Sequence, residues 1–231
     1  MGDFQGITPQ AMWLLAENRF HDSKSYYEAH KPDIQRQVIQ PLRALVADLA
    51  PSMLEIDARL VVTPGSNGTV SRVRRDNRYT KDKSMYRENM WIAFQRDKKI
   101  WEFTPGFYLD ISASQSIWGM GFYQAPPAFL QFLRRRIDER PAPYTKAMKQ
   151  AGEAGFSPDG PAYARPKRPN APEALWPLYN CKVIDMVRTE EGCALFGGPE
   201  LTETLRQGFA ALAPLYRLLI RDVEAWVAQM Q

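Results

Sequence analysis

The chain has 231 residues, 45% of them hydrophobic, and its 30 Lys and Arg against 26 Asp and Glu give a formal net charge of +4. That length suits one domain, 1–231, which would bury about 70% of the surface an extended chain exposes. The hydrophobic content and 12% aromatic residues exclude disordered and collagenous classes, and the two cysteines, Cys181 and Cys193, are too few for a disulfide framework or a closed zinc site.

Thr8-Pro9 reads as a helix start, a capping hydroxyl followed by proline at the first helical position, with the helix running to about Arg19. A second helix is expected from Ser23, burying Tyr26 and Tyr27, and a third from Lys31-Pro32. Ile34, Val38, Leu42, Leu45, Val46 and Leu49 recur at helical spacing there, with Pro41 expected to kink or divide it.

Beyond Pro51 the pattern turns to strands. They are expected at Leu60–Val62, Val70–Arg75, Met90–Phe94, Phe107–Ile111 and Ile117–Tyr123, with a turn over Pro64–Gly68 and a hairpin connection over Gln95–Lys99. No long helix separates them, so adjacent, mainly antiparallel pairing follows. Trp91, Trp101, Trp118 and Tyr123 read as core residues of these strands.

Helices are predicted from Pro126-Pro127 to about Glu139 and over Tyr144–Ala151. A proline-dense excursion over Gly152–Pro177, a strand near Lys182–Val187, and a helical stretch from Pro199 to Met230 divided near Pro214 complete the chain. The fold class is α+β: one domain with a mainly antiparallel central sheet flanked by N- and C-terminal helices. Asp3 and the lack of an apolar run argue against a signal peptide, and Gly6 stands where a myristoylation motif needs Ser or Thr. A cytoplasmic protein without membrane attachment is expected; its oligomeric state stays open.

Familiar catalytic motifs are missing. There is no phosphate-binding P-loop and no nucleophile elbow, and Gly119 and Gly121 lack the third glycine of a dinucleotide loop. His21 and His30 lack a ligand set, so no metal is expected and they read as packing or surface residues. No cofactor is expected, and the cysteines read as small apolar residues.

The charge is concentrated in one place. Between Ser71 and Glu88 lie seven bases (Arg72, Arg74, Arg75, Arg78, Lys81, Lys83, Arg87) and three acids (Asp76, Asp82, Glu88). On a strand, Arg72 and Arg74 share one face and Val73 and Arg75 the other. With Arg78, Lys81 and Lys83 they could converge on one anion, since guanidinium forks match phosphate or carboxylate. Asp76 and Asp82 could orient those arginines or act as general base, and Tyr79 and Tyr86 could stack or donate. The alternative is a solvated salt-bridge network. Arg165, Lys167 and Arg168 form a second basic group, read either as a lid over the first or as a solvated loop, and Arg134-Arg135-Arg136 suits a helix C-terminus.

The run from Arg72 to Arg87, RVRRDNRYTKDKSMYR, resembles the R-I-x-R-D-x-R-F-x-K-D-K-x-x-Y-K signature of the DUF2461 family, with Tyr79 in place of Phe and Arg87 in place of Lys. Phe4–Ile7, Asn18 through Pro32, Phe107–Ser112, Gly119–Tyr123 and Arg165–Arg168 are similar to its other segments. The resemblance carries no established activity, so no catalytic residue comes with it.

Three functions remain. The first is binding, and conceivably turnover, of a phosphorylated or otherwise anionic small ligand by Arg72, Arg74, Arg78, Lys81, Lys83, Tyr86 and Arg87, with Asp76 or Asp82 as the base. Its discriminating feature is a concave pocket with the arginines pointing inward. The second is a structural or protein-interaction domain whose arginines are consumed internally. The third is a nucleic-acid-associated module, which requires a continuous basic groove.

Overall fold

The computed structural model describes residues 3–65, 68–78, 80–98, 103–193 and 195–230. Tyr79, Trp101, Lys99 of the expected hairpin connection, and Ser66 and Asn67 of the expected turn lie outside the described residues. The architecture is α+β, with helices before and after a five-stranded antiparallel sheet. Its strands are β1 (Met90–Phe94), β2 (Pro105–Ile111), β3 (Gln115–Phe122), β4 (Ser157–Pro158) and β5 (Asp185–Glu191), in the order β1-β2-β3-β5-β4. Among the described residues no helix is long and apolar enough to cross a membrane.

Two compact units emerge. One holds the chain up to Phe94, Tyr108–Trp118 and Thr189–Arg206; the other holds Gln95–Phe107, Gly119–Arg188 and the chain from Gln207 onward. The chain passes between them at 94/95, 107/108, 118/119, 188/189 and 206/207, so neither is a continuous segment.

In the first unit, α1 (Pro9–His21) starts as expected: the Thr8 hydroxyl accepts from the Ala11 N–H at 3.3 Å. It ends at Asp22, which adopts a left-handed backbone with φ 42°. Ser23 caps α2 (Lys24–Ile34), its Oγ accepting from the Tyr26 N–H. Tyr26 and Tyr27 are only half-buried there, and Ile34 is the buried residue of α2.

The break expected at Lys31-Pro32 falls further on. A π-helical turn over Gln35–Ile39 joins α2 to α3 (Gln40–Ile56). Gln40 N–H bonds the carbonyl of Gln35, and Pro41, which has no N–H, follows. The register thus changes where the α ladder would lose a donor anyway. Val38, Leu42, Leu45, Val46 and Leu49 form the buried stripe read from their spacing. Leu60–Val62 forms no strand, because the turn takes its bonds: Thr69 donates from its hydroxyl to Val61 and from its N–H to Thr63.

In the second unit, α4 (Pro127–Glu139) buries Phe129, Leu130, Leu133 and Ile137, and α5 (Pro141–Glu153) follows. The proline-dense excursion contains β4, a 3-10 turn over Glu173–Leu175 and α6 (Trp176–Asn180). The C-terminal helix α7 (Glu200–Ala228) is continuous through Pro214 rather than divided. Phe209, Leu212, Leu215, Tyr216 and Leu219 are all buried around that proline, and their packing offsets the one lost backbone bond. Phe107 meets Phe209 and Tyr216 at ring separations of 5.3 and 4.9 Å. Tyr123, expected in the core, lies just beyond β3 and is 88% exposed, whereas Trp118 is fully buried.

Gly119 and Gly121 let two backbones meet. A Cβ on Gly119 would strike the Met186 carbonyl, and one on Gly121 would sit 2.5 Å from the Ile184 carbonyl oxygen. Deeper in this unit, Tyr144 donates to the fully buried Asp222, with Arg136 3.5 Å from the same carboxylate. Tyr179 donates to Asp138, which also pairs with Arg168.

Gly119→Ala should cost about 1–3 kcal/mol by overpacking, read as a lower denaturation midpoint at unchanged slope. Burial, then the Asp138 carboxylate, pushes the Tyr179 phenol from 10.0 up to about 12. Its contribution is complete below pH 10 and is lost as pH rises through about 12, so melting temperature should fall over that window. The fall should be shallower in Tyr179→Phe.

Candidate functional site

The basic segment forms two antiparallel arms joined by a loop. Ser71 N–H bonds Trp91 and Ala93 N–H bonds Thr69; nearer the loop, Arg75 N–H bonds Met85 and Arg87 N–H bonds Val73. The pairs Val70–Ile92 and Arg74–Tyr86 enclose unequal lengths: residues 70 to 74 on the outgoing arm face residues 86 to 92 on the returning one. The returning arm therefore carries two extra residues, which interrupt the ladder as a bulge does. For this reason the expected strand Val70–Arg75 pairs only at its ends. Inward–outward alternation still holds: Val73 is buried, and Arg72 and Arg74 are exposed.

Much of the segment's charge is used at once. Asp82 accepts from the Ser84 N–H and hydroxyl at 3.0 and 2.7 Å, from Arg75 at 2.6 Å and from Arg19 of α1 at 3.2 Å. Those bonds, the Ser84 pair first, hold its carboxyl below the ordinary range. Arg78 grips Asp76 with two parallel bonds of 2.9 and 2.7 Å, which bring the Asp76 carboxyl down to about 2. Lys83 and Asn77 exchange side-chain-to-backbone bonds across the loop at 3.0 and 2.8 Å.

The sites expected from the sequence therefore separate. Arg72, Arg74 and Lys81 are exposed, and among the described residues no carboxylate lies within ion-pair distance of any of them. Arg78 is tied to Asp76, and Lys83 to the loop backbone. Tyr86 is buried and stacked on Tyr27 at 4.8 Å, and burial pushes its phenol up. Arg87 lies with its guanidinium 4.3 Å over the Trp91 ring. Asp76 and Asp82, with depressed carboxyls and committed partners, are weak bases.

Two residues outside the expected set organise the segment. Asp22, at the α1–α2 corner, accepts from the N–H groups of Met85 and Tyr86 at 2.8 and 3.1 Å. Its sequence signal is an Asp between a helix end and a capping Ser, a place where left-handed backbone is common. Asp110 stands on β2 between Leu109 and Ile111, both buried, and both its oxygens accept from Asn89 Nδ2 at 2.8 Å. It is the one charged residue in an apolar strand, and that was its signal.

Elsewhere four members of the other two basic groups, Arg134, Arg136, Lys167 and Arg168, have local partners. Arg168 pairs with Asp138, and Lys167 lies over Tyr163. Arg134 donates to the Tyr179 carbonyl. His21 and His30 each stack on Tyr26 at 4.0 Å, and among the described residues no group of three or more His, Cys, Asp or Glu could hold a metal.

A cleft of about 520 Å³ opens in the first unit beside Trp13, Glu88, Asn89, Asp110, Ser112 and Gln115. Another of about 600 Å³ in the second unit is bordered by Lys98, Phe103, Tyr123, Pro126 and Lys182. None of Arg72, Arg74, Arg78 and Lys81 lines either one.

A family model described as "Conserved hypothetical protein (DUF2461)" matches residues 10–218. The chain belongs to the DUF2461 family. The match takes in both arms, the Asp22 corner and the Asp110 strand. No curated protein and no solved structure matches the chain.

Asp22→Ala in this DUF2461 protein strips the acceptor from two amides of its signature segment. Stability should fall by about 1–3 kcal/mol, and hydrogen exchange at Met85 and Tyr86 should speed up more than at the β1 amides.

Proposed function

We propose that this DUF2461 protein binds a phosphorylated or otherwise anionic ligand through Arg72, Arg74 and Lys81. One observation carries the reading: the acids of the loop form their ion pairs with Arg75, Arg19 and Arg78, and among the described residues no carboxylate pairs directly with these three exposed cations, Arg72 acting on Asp76 only at longer range. Uncompensated neighbouring cations raise the local potential and draw anions. Alternation around the buried Val73 presents both arginines on one side of the arm, where their forks suit phosphate oxygens.

A structural role is favoured for the rest of the cluster. Arg75 and Arg78 hold the loop through Asp82 and Asp76, and Tyr86 packs on Tyr27. Turnover at Asp76 or Asp82 gains no support from carboxyls held low by their partners. The cations stand on an open surface, which favours a ligand gripped by its phosphates over one enclosed on all sides. We read residues 1–231 as one functional domain, since the chain passes repeatedly between its two units. The free thiols Cys181 and Cys193 support a reducing compartment, the cytoplasm.

Thermal shift against nucleotides, sugar phosphates, polyphosphate and short RNA and DNA tests the reading. An anion that stabilises the wild type should lose its effect in the folded double variant Arg72→Ala, Arg74→Ala and keep most of it in Arg78→Ala. A ligand at a hundred times its dissociation constant adds about 2.7 kcal/mol. If RNA or DNA is the partner, log affinity against log salt should flatten by about one for each phosphate-contacting cation removed. Equal effects of all anions on wild type and double variant would sink the proposal.

A further inference from the structure

The first unit's cleft is separate chemistry from the exposed cations. It is lined by the two-residue excess of the returning arm and by the turn after β2. The excess places Glu88 outward and turns Asn89 toward Asp110. The turn is closed by the Ser112 N–H bonding Gln115 and held by the Gly192 N–H bonding Ser114. The Ser112 and Ser114 hydroxyls sit 3.2 Å apart. At the rim stands the indole of Trp13, 61% exposed on α1.

From this lining we infer that the cleft is a binding site for a neutral polyhydroxylated ligand, a sugar ring or its open-chain polyol, gripped by Asp110 and Asn89 and stacked on Trp13. A hydroxyl both donates and accepts, so its natural counterpart is a wall that mixes acceptors with donors. Asp110 and Glu88 supply carboxylate acceptors, Asn89 and Gln115 amide groups, and Ser114 a hydroxyl, while the Ser112 hydroxyl is used in the turn, donating to the Gln115 carbonyl and accepting from the Gln115 N–H. The C–H face of a sugar ring is apolar and fits a flat exposed indole.

Other ligand classes fit less well. No Lys or Arg lines the cleft and two carboxylates do, so an anion would find donors there but no cation to offset the repulsion. A cation would meet two carboxylates, but the Arg87 charge already acts on Asp110 and offsets part of their pull. Asp110 itself is poised for a neutral donor. Its burial outweighs Asn89 and Arg87 and pushes its carboxyl up, so the carboxylate is under-solvated and gains from hydroxyl donors that displace water.

The test is nitrogen–proton correlation NMR on the full chain, titrated with glucose, galactose, ribose, N-acetylglucosamine, sorbitol and maltose at millimolar concentration. Spermidine and inorganic phosphate serve as controls. One or more of the sugars should move the side-chain amide of Asn89 and the indole N–H of Trp13 together, saturably. Asp110→Asn keeps the shape and should weaken that affinity about tenfold to a hundredfold; Trp13→Ala should weaken it as well. Arg72→Ala with Arg74→Ala should leave it unchanged, which separates this site from the anion surface. Three results overturn the inference: no polyol moves these signals, spermidine or phosphate moves them instead, or the sugar response survives both Asp110→Asn and Trp13→Ala in folded protein.

Discussion

The constraint on which the first unit turns is a mismatch in length. Between the pairs Val70–Ile92 and Arg74–Tyr86, the returning arm of the basic segment has two residues more than the outgoing arm. An antiparallel ladder cannot absorb them in register, so they leave it, and their side chains are aimed where a regular strand would not send them. Asn89 thereby reaches Asp110 on the adjacent strand, Arg87 lies over Trp91, and Glu88 faces out. The same mismatch frees the loop beyond Arg74 from the sheet. Its shape then depends on its own side chains and on the Asp22 carboxylate.

Within that loop, ion pairs position more than they stabilise. The Arg78–Asp76 and Arg75–Asp82 pairs are solvent-facing, and such pairs contribute about 0–1 kcal/mol each. Their structural effect is larger than that figure suggests, because each removes an acid that would otherwise neutralise a neighbour. Asp82 takes four bonds and Asp76 two parallel ones from Arg78, so neither forms an ion pair with Arg72, Arg74 or Lys81, although Arg72 still acts on Asp76 at longer range. A segment with seven bases and three acids thus sorts itself into a neutralised scaffold and an exposed cationic remainder.

What was legible in the sequence was whatever local chemistry decides. The Thr8 and Ser23 caps, the apolar stripe of α3, the face of α4 and strands β1 to β3 follow from capping, spacing and β-branched runs that tertiary contacts did not overrule. Prolines were misleading in two helices: α7 passes Pro214 because its apolar side chains remain packed on both sides, and α2 passes Pro32 two residues before its end, the register changing only in the π-helical turn that follows. Alternation put Tyr123 in the core, but β3 ends one residue before it. The basic segment was visible as a charge anomaly, and its division was not. Which acid meets which base depends on Arg19, sixty-three positions from Asp82, and composition has no access to such a contact.

Asp110 shows the limit most clearly. On the sequence it was the polar position of a strand whose burial alternates, and alternation does leave it partly exposed between buried Leu109 and Ile111 but says nothing of its neighbours. Its environment is set instead by three opposed influences: burial disfavours its charge, and the Asn89 amide and the Arg87 guanidinium favour it. Burial is the largest, so the carboxyl is pushed up although both its oxygens accept from the Asn89 amide. A group left in that state is costly in an empty cleft and favourable in a filled one, provided the occupant brings hydrogen-bond donors and excludes water. The bulge that carries Asn89 to Asp110 thus does more than relieve a register error. It fixes a half-solvated carboxylate at the wall of a cleft, where its remaining acceptor capacity faces whatever enters.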